Sequence, residues 1–121
     1  MGEAISVRPV GFVRATADER VKLIEVPPEL AAGLEGVESQ NYLWILYWMH
    51  GLPPEERKRL RVHPRGDRTQ PKRGVFALHS PCRPNPIGMT RVRLIRREEN
   101  RLLVEGLDAL DGSPVLDIKS G

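Results

Sequence analysis

Hydrophobic and polar positions alternate along this chain in short runs that glycine and proline punctuate. Val7 to Arg14 predicts a first strand, with Gly11 permitting a bend or bulge. Lys22 to Val26 predicts a second short strand. Pro28 then opens a helix of one or two turns over PELAAGLEG, closed by Gly33 or Gly36. Tyr42 to Met49 is eight apolar residues in a row, YLWILYWM. Its length and aromatic content suit a strand buried on both faces, and a buried helical segment is the competing reading. Pro53 to Arg73 is polar, basic and rich in turn formers, which predicts a long surface excursion with one helical turn at Glu55 to Leu60. Gly74 to His79 predicts another short strand. Ser80 to Gly88 holds three prolines, so it is neither a central strand nor a helix interior. From Thr90 to Arg96 the chain alternates, with Val92 and Leu94 on one face against Arg91, Arg93 and Arg97. Leu102 to Glu105 pairs with it across a turn at Glu98 to Asn100. Val115 to Ile118 is a last strand. Short strands separated by turns predict a mainly β domain, a small barrel or sandwich.

Composition narrows this picture. A chain of 121 residues fits one domain, here residues 1–121, with a modest core. Apolar residues are 40% and charged residues 29%, a globular balance. No window reaches the roughly 18 apolar residues of a membrane span. The opening MGEAISVRPV lacks the charged-then-apolar pattern of a signal peptide, so a cytoplasmic location is expected. The single cysteine, Cys82, excludes an internal disulfide and a cysteine-rich zinc site. Net charge is +3, but it is unevenly spread. Residues 1–56 carry −5, residues 57–73 carry +7 and residues 74–121 carry +1. The positive charge is a local patch able to guide a polyanion.

Three segments can carry chemistry. In SPCRPNPIG, residues 80–88, the prolines fix backbone angles and pre-organise the loop. Arg83 there offers a planar fork for a carboxylate or phosphate, and Asn85 sits between two prolines. A rigid structural turn is the plainer alternative. In LDALDGSPVLD, residues 107–117, Asp108 and Asp111 flank a turn. Paired carboxylates can hold ribose hydroxyls or an ammonium group, or act as a general base, although Asp-Gly is also ordinary turn chemistry. The basic stretch holds Arg57, Lys58, Arg59, Arg61, Arg65, Arg68, Lys72 and Arg73, suited either to phosphate contacts or to a solvated loop. His50, His63 and His79 lie 13 and 16 residues apart, so no helical metal pair exists and no metal site is expected. His50 ends the apolar run, where it can face a pocket or serve in capping and packing. Tyr42, Trp44, Tyr47 and Trp48 can supply an aromatic wall for a splayed base, or simply pack in the core. The chain has no GxGxxG after a strand, no P-loop and no GxSxG elbow.

Gly74-Val-Phe-Ala, Ser80-Pro-Cys-Arg-Pro-Asn-Pro-Ile-Gly88 and the run from Leu107 to Lys119 resemble the signature of the TsaA-like (TrmO-like) family. Arg8-Pro-Val-Gly-Phe-Val, Leu34-Glu-Gly and Leu46-Tyr-Trp-Met-His50 fit it too, so the resemblance runs in order along nearly the whole chain. It implies a small single-domain β-barrel with short helices and a long basic loop. It implies a homodimer that binds S-adenosylmethionine near the subunit interface and methylates N6 of a threonylcarbamoyl-modified adenosine beside the anticodon of tRNA. The anticodon stem-loop is then the partner, held through its phosphates by the basic stretch. Cofactor contacts carried over from the family fall on His50 and Gly51, on His79, on Met89 and on Asp108, Ala109, Leu110 and Asp111, with Arg83 and Asn85 in the proline loop between them. The family's pattern does not name a catalytic base here. Several positions depart from it: His79 stands where many relatives have Arg, Arg20-Val21-Lys22 where they have a Pro-Arg-Gln or Pro-Ser-Gln, and Asn41-Tyr42 where they have Ser-His. The family pattern continues into Pro-Tyr where this sequence reads Lys119-Ser120-Gly121, and the long TrmO enzymes carry a C-terminal extension. A cofactor-binding module without RNA chemistry, and a methyltransferase for small molecules, are the alternative functions.

Overall fold

Pairing between strands begins where proline stops preventing it. Pro9 has no N–H to donate, and the next residue, Val10, makes the first bond across the sheet, from its N to the Val115 carbonyl at 2.7 Å. The computed structural model describes residues 2–121. Its strands are β1 (Gly11–Ala15), β2 (Val21–Glu25), β3 (Tyr42–Trp48), β4 (Arg61–Val62), β5 (Arg73–Gly74), β6 (Ile87–Glu98), β7 (Arg101–Glu105) and β8 (Pro114–Ser120). Six of them close into an antiparallel barrel in the order β1-β2-β7-β6-β3-β8, with β8 returning to β1. Closure leaves no free sheet edge. The other two, β4 and β5, form a separate ribbon inside the basic excursion. No helix among the described residues is long and apolar enough to cross a membrane.

The period-two alternation fills the barrel. Val13, Ile24, Leu43, Ile45, Val92, Leu102, Val104 and Val115 are at most 1% exposed and form one cluster with Tyr47 and Leu94. Each such aliphatic burial contributes about 1.5–3 kcal/mol before entropy is counted. Val26, Leu34, Leu107 and Ala109 join the same cluster from the connections between strands.

Several expected elements take a different form. The first strand runs over Gly11–Ala15 rather than from Val7, which is well exposed. Gly11 makes no bulge; it permits close approach, because a Cβ there would stand 2.6 Å from the Glu25 carbonyl oxygen. The segment opened by Pro28 is a 3-10 helix, Pro28–Leu34, with a second at Val37–Ser39. The apolar run is a strand but is not buried on both faces. Leu43, Ile45 and Tyr47 point into the barrel, while Tyr42, Trp44, Leu46 and Trp48 lie on the outer surface, partly covered. Guanidinium groups cap two of these outer rings, Arg91 at 4.1 Å from the Tyr42 centroid and Arg57 at 5.1 Å from that of Trp48. The expected strand from Gly74 to His79 survives only as its first residue in β5, before a 3-10 turn at Val75–Ala77. Val75 is buried there, which turns Phe76 outward.

The hairpin of β6 and β7 forms as expected, with Glu99 at φ 56 in its turn. A register shift between Leu94 and Arg96 reverses the alternation in β6. Arg97 therefore leaves the face of Arg91 and Arg93, and donates from Nη1 to the Leu34 carbonyl and to Glu38 Oε2, both at 3.2 Å.

Candidate functional site

One end of the barrel opens into a cleft of about 1020 Å³. Four chain segments build it: the end of β3, the 3-10 turn before the proline loop, the start of β6, and the connection from β7 to β8.

The end of β3 is fixed by backbone. Met49 N donates to the Pro86 carbonyl at 2.7 Å and His50 N to the Trp48 carbonyl at 3.0 Å. Gly51 follows at φ 104, a left-handed conformation that other residues adopt only under strain. The proline loop is braced from within by Arg83, whose Nη1 donates to the carbonyls of Leu78 and Ser80, each at 3.1 Å. The Arg83 guanidinium carbon lies 6.0 Å from the Phe76 ring centroid. Its Nε and Nη2 have no partner among the described residues.

Tyr47 joins the walls. Its ring lies directly over Gly88, where a Cβ would come within 2.6 Å of the ring atoms. Its hydroxyl donates to the Asp108 carbonyl and accepts from Thr90 Oγ1 at 3.2 Å. Burial, chiefly, raises the phenol above its ordinary 10.0; the Asp108 charge adds to this and the Thr90 hydrogen bond opposes it. Tyr47 is thus a neutral tie between β3, β6 and the 107–113 connection. Ser113, 1% exposed, lies behind His50 with Oγ 3.3 Å from Nδ1.

A family model described as the tRNA-methyltransferase O N-terminal domain matches residues 13–120. The chain belongs to this TrmO-like family. It is 39% identical over 114 residues to a protein of Methanocaldococcus jannaschii named "Probable S-adenosyl-L-methionine-binding protein", covering 93% of this chain and 89% of the relative. An S-adenosyl-L-methionine-binding protein of Archaeoglobus fulgidus is 46% identical over 101 residues, 84% of this chain and 69% of that one. The crystal structure of TrmO from Pseudomonas aeruginosa superposes with a TM-score of 0.74 at 30% identity. That match covers 98% of this chain and 56% of the other, so the TrmO-like domain spans little more than half of that protein.

Of the residues singled out in the sequence, His50, Gly51, His79, Arg83, Met89, Asp108, Ala109 and Leu110 all line the cleft of the TrmO-like domain. Asn85 and Asp111 are not among its lining residues. The Asn85 carbonyl accepts from Ile87 N at 2.7 Å, closing a tight turn. Asp111 Oδ1 accepts from Ala15 N at 2.8 Å, which pins the connection to the end of β1. Tyr47 was one of four aromatic candidates, and it alone of the four faces the cleft. Phe76, Leu52 and Ser113 also line the cleft, at positions that carry no motif of their own in the sequence. Phe76 is 78% exposed because the strand expected there is a 3-10 turn, and no local pattern announces that.

The lining suits S-adenosylmethionine chemically. Leu52, Phe76, Met89 and Leu110 offer apolar and aromatic surface to an adenine and to the methylene groups of the methionine chain. Arg83 brings unpaired guanidinium N–H groups for a carboxylate, and Asp108 a carboxylate for hydroxyls or an ammonium.

The basic stretch leads straight into this site, since Arg73 in β5 is three residues before Phe76. Arg59 pairs with Glu56 at 3.0 Å, but Arg57, Lys58, Arg61, Arg65, Arg68, Lys72 and Arg73 have no ion-pair partner among the described residues. Asp67, the one acid in the stretch, is taken by Thr69, whose N and Oγ1 donate to Oδ1 at 2.9 and 2.6 Å. These bonds hold its carboxyl below the usual range. Of the barrel arginines, Arg14, Arg93, Arg96 and Arg97 each face a glutamate, while Arg91 and Arg101 have no ion-pair partner among the described residues.

Proposed function

We propose that this domain methylates N6 of a threonylcarbamoyl-modified adenosine beside the anticodon of tRNA, using S-adenosylmethionine bound in the cleft. The observation that carries the RNA half of this reading is the run of unpaired cations ending at the cleft wall. A cation without an acidic neighbour is available to phosphate, and its counterions are released on binding. The cofactor half rests on family membership and on the fit of the lining. In this reading Phe76 stacks on the adenine, Arg83 takes the carboxylate, Asp108 the hydroxyls or the ammonium, and His50, Gly51, His79, Met89, Ala109 and Leu110 complete the contact. Asn85 and Asp111 hold the loops that present these groups.

S-adenosylmethionine supplies an electrophilic methyl group. The chain's work is to hold donor and acceptor in line at about 3–3.5 Å and to keep water from the cleft. Apolar side chains exposed at the rim, Phe76, Leu110 and Met89 at 78, 65 and 51%, favour a homodimer in which a second copy covers part of the site.

Calorimetric titration with S-adenosylmethionine tests the first half, and methyl transfer into total tRNA from cells lacking this protein tests the second. Cofactor binding without tRNA affinity at low salt would leave a binding module and sink the methyltransferase reading.

A further inference from the structure

Ser113 is 1% exposed, and its hydroxyl has two neighbours. Oγ lies 2.7 Å from the Leu110 carbonyl oxygen and 3.3 Å from His50 Nδ1. A carbonyl oxygen carries no hydrogen, so the single hydroxyl hydrogen of Ser113 must lie on the shorter contact. Toward His50, Oγ can then only accept, and Nδ1 must carry the hydrogen of that bond. A neutral imidazole has one N–H. With it at Nδ1, the lone pair is at Nε2, on a ring that lines the cleft. The backbone that carries the ring is fixed by the Met49 and His50 hydrogen bonds and the Gly51 turn.

We propose that Ser113 fixes His50 in the Nδ1–H form, and that His50 Nε2 accepts the proton released by the acceptor nitrogen during methyl transfer. This rests on the methyltransferase reading above. The acceptor nitrogen's lone pair forms the bond to the methyl carbon, and the carbon–sulfur bond breaks with its electron pair staying on sulfur. The acceptor's N–H proton passes to Nε2, and the imidazolium returns it to water. The substrate class this requires is an exocyclic nitrogen of a base that still bears a hydrogen, as the carbamoylated N6 of the proposed substrate does. Histidine is suited to the task because it takes and releases a proton near neutral pH. His79 also lines the cleft, but no hydrogen bond among the described residues fixes its tautomer.

Long-range proton–nitrogen correlation spectra of the full chain, labelled in the imidazole nitrogens and free of ligand, read the tautomer directly. The expected result is a protonated Nδ1 and a bare Nε2 at His50, with the Nε2–H form gaining population in Ser113→Ala. An Nε2–H His50 in the wild-type chain overturns the proposal, whatever the activity. The second arm compares His50→Asn, which keeps a donor for Ser113 but loses the Nε2 lone pair, with the parent in single-turnover methylation of tRNA. The rate at saturating S-adenosylmethionine is expected to fall by roughly 10² to 10⁴, a loss that added cofactor does not restore. An unchanged rate also overturns the proposal. Should His50→Asn fail to fold, His50→Gln takes its place: its amide cannot take the proton, so the rate is expected to stay low and a parental rate overturns the proposal; the tautomer arm needs no variant. A wild-type chain that binds the cofactor but methylates no tRNA defeats the tRNA reading instead, so the two failures are distinct.

Discussion

Tyr47 does three jobs with one side chain. Its ring fills the space over Gly88, its body belongs to the barrel core, and its hydroxyl ties two strands to the connection that carries Asp108. Gly88→Ala would set a methyl group 2.6 Å from a ring that is buried and hydrogen-bonded. The ring has no free direction to yield, so the substitution should cost about 1–3 kcal/mol in a urea titration. Stability equal to the parent's would mean that the ring moves freely. Tyr47→Phe removes the hydroxyl and leaves the Asp108 carbonyl short of a donor, at about 1–2 kcal/mol near neutral pH. The pH dependence carries more information. The folded phenol titrates above the ordinary 10.0, so its contribution is complete below that value and is lost as pH rises through the range up to the folded one. As pH rises past 10.0 the parent should therefore lose more stability than Tyr47→Phe. Parallel losses in the two proteins would show that the phenol is no harder to ionise folded than unfolded.

At the scale of elements, the barrel strands were legible because each carries its own alternation and lies between turn residues. Leu43, Ile45, Val92, Leu102 and Val104 have that pattern and occupy the interior. The sides of the outer residues were less legible. A bulge beside Leu94 shifts the phase for Arg97, and nothing local in Arg93-Leu-Ile-Arg-Arg97 marks where the extra residue falls. The aromatic run looked buried on both faces because its outer rings are shielded by Arg91 and Arg57, which come from elsewhere in the chain. Of the cleft, the proline loop and the Asp108 connection stood out as motifs, whereas Phe76 and Ser113 depend on contacts distant in sequence. The basic excursion has the composition of a loop and contains a ribbon, β4 with β5, steadied by Val75 N donating to the Leu60 carbonyl at 2.9 Å. This ribbon gives the cations a defined platform. If it holds tRNA through phosphates, Arg65→Ala with Arg68→Ala should weaken binding and flatten the plot of log affinity against log salt by about 2 units. The cofactor titration should be unaffected, because neither residue lines the cleft. An unchanged salt slope would place the phosphate contacts elsewhere on the molecule.

For the whole molecule, the question is how a small barrel excludes water from a cleft this open. Phe76, Leu110, Met89, Leu52 and Ile87 are all at least 40% exposed and all line it. Together they make an apolar rim around one cleft, the kind of clustering that marks an interaction surface. Each apolar group left in water costs free energy that a covering surface recovers. A second copy of the chain, the partner the proposed function calls for, would cover the rim and enclose the cofactor at the same time. Association and cofactor binding are then linked: whatever stabilises the dimer must tighten the cofactor, and the cofactor must tighten the dimer. Sedimentation equilibrium should give the mass of two chains, and dilution toward the dissociation range should weaken S-adenosylmethionine binding in step. Leu110→Lys places a charge on the rim and should shift both equilibria together. A chain that sediments as a monomer at every concentration, and binds the cofactor with the same affinity throughout, would show that one barrel completes the site alone, with the rim left for RNA.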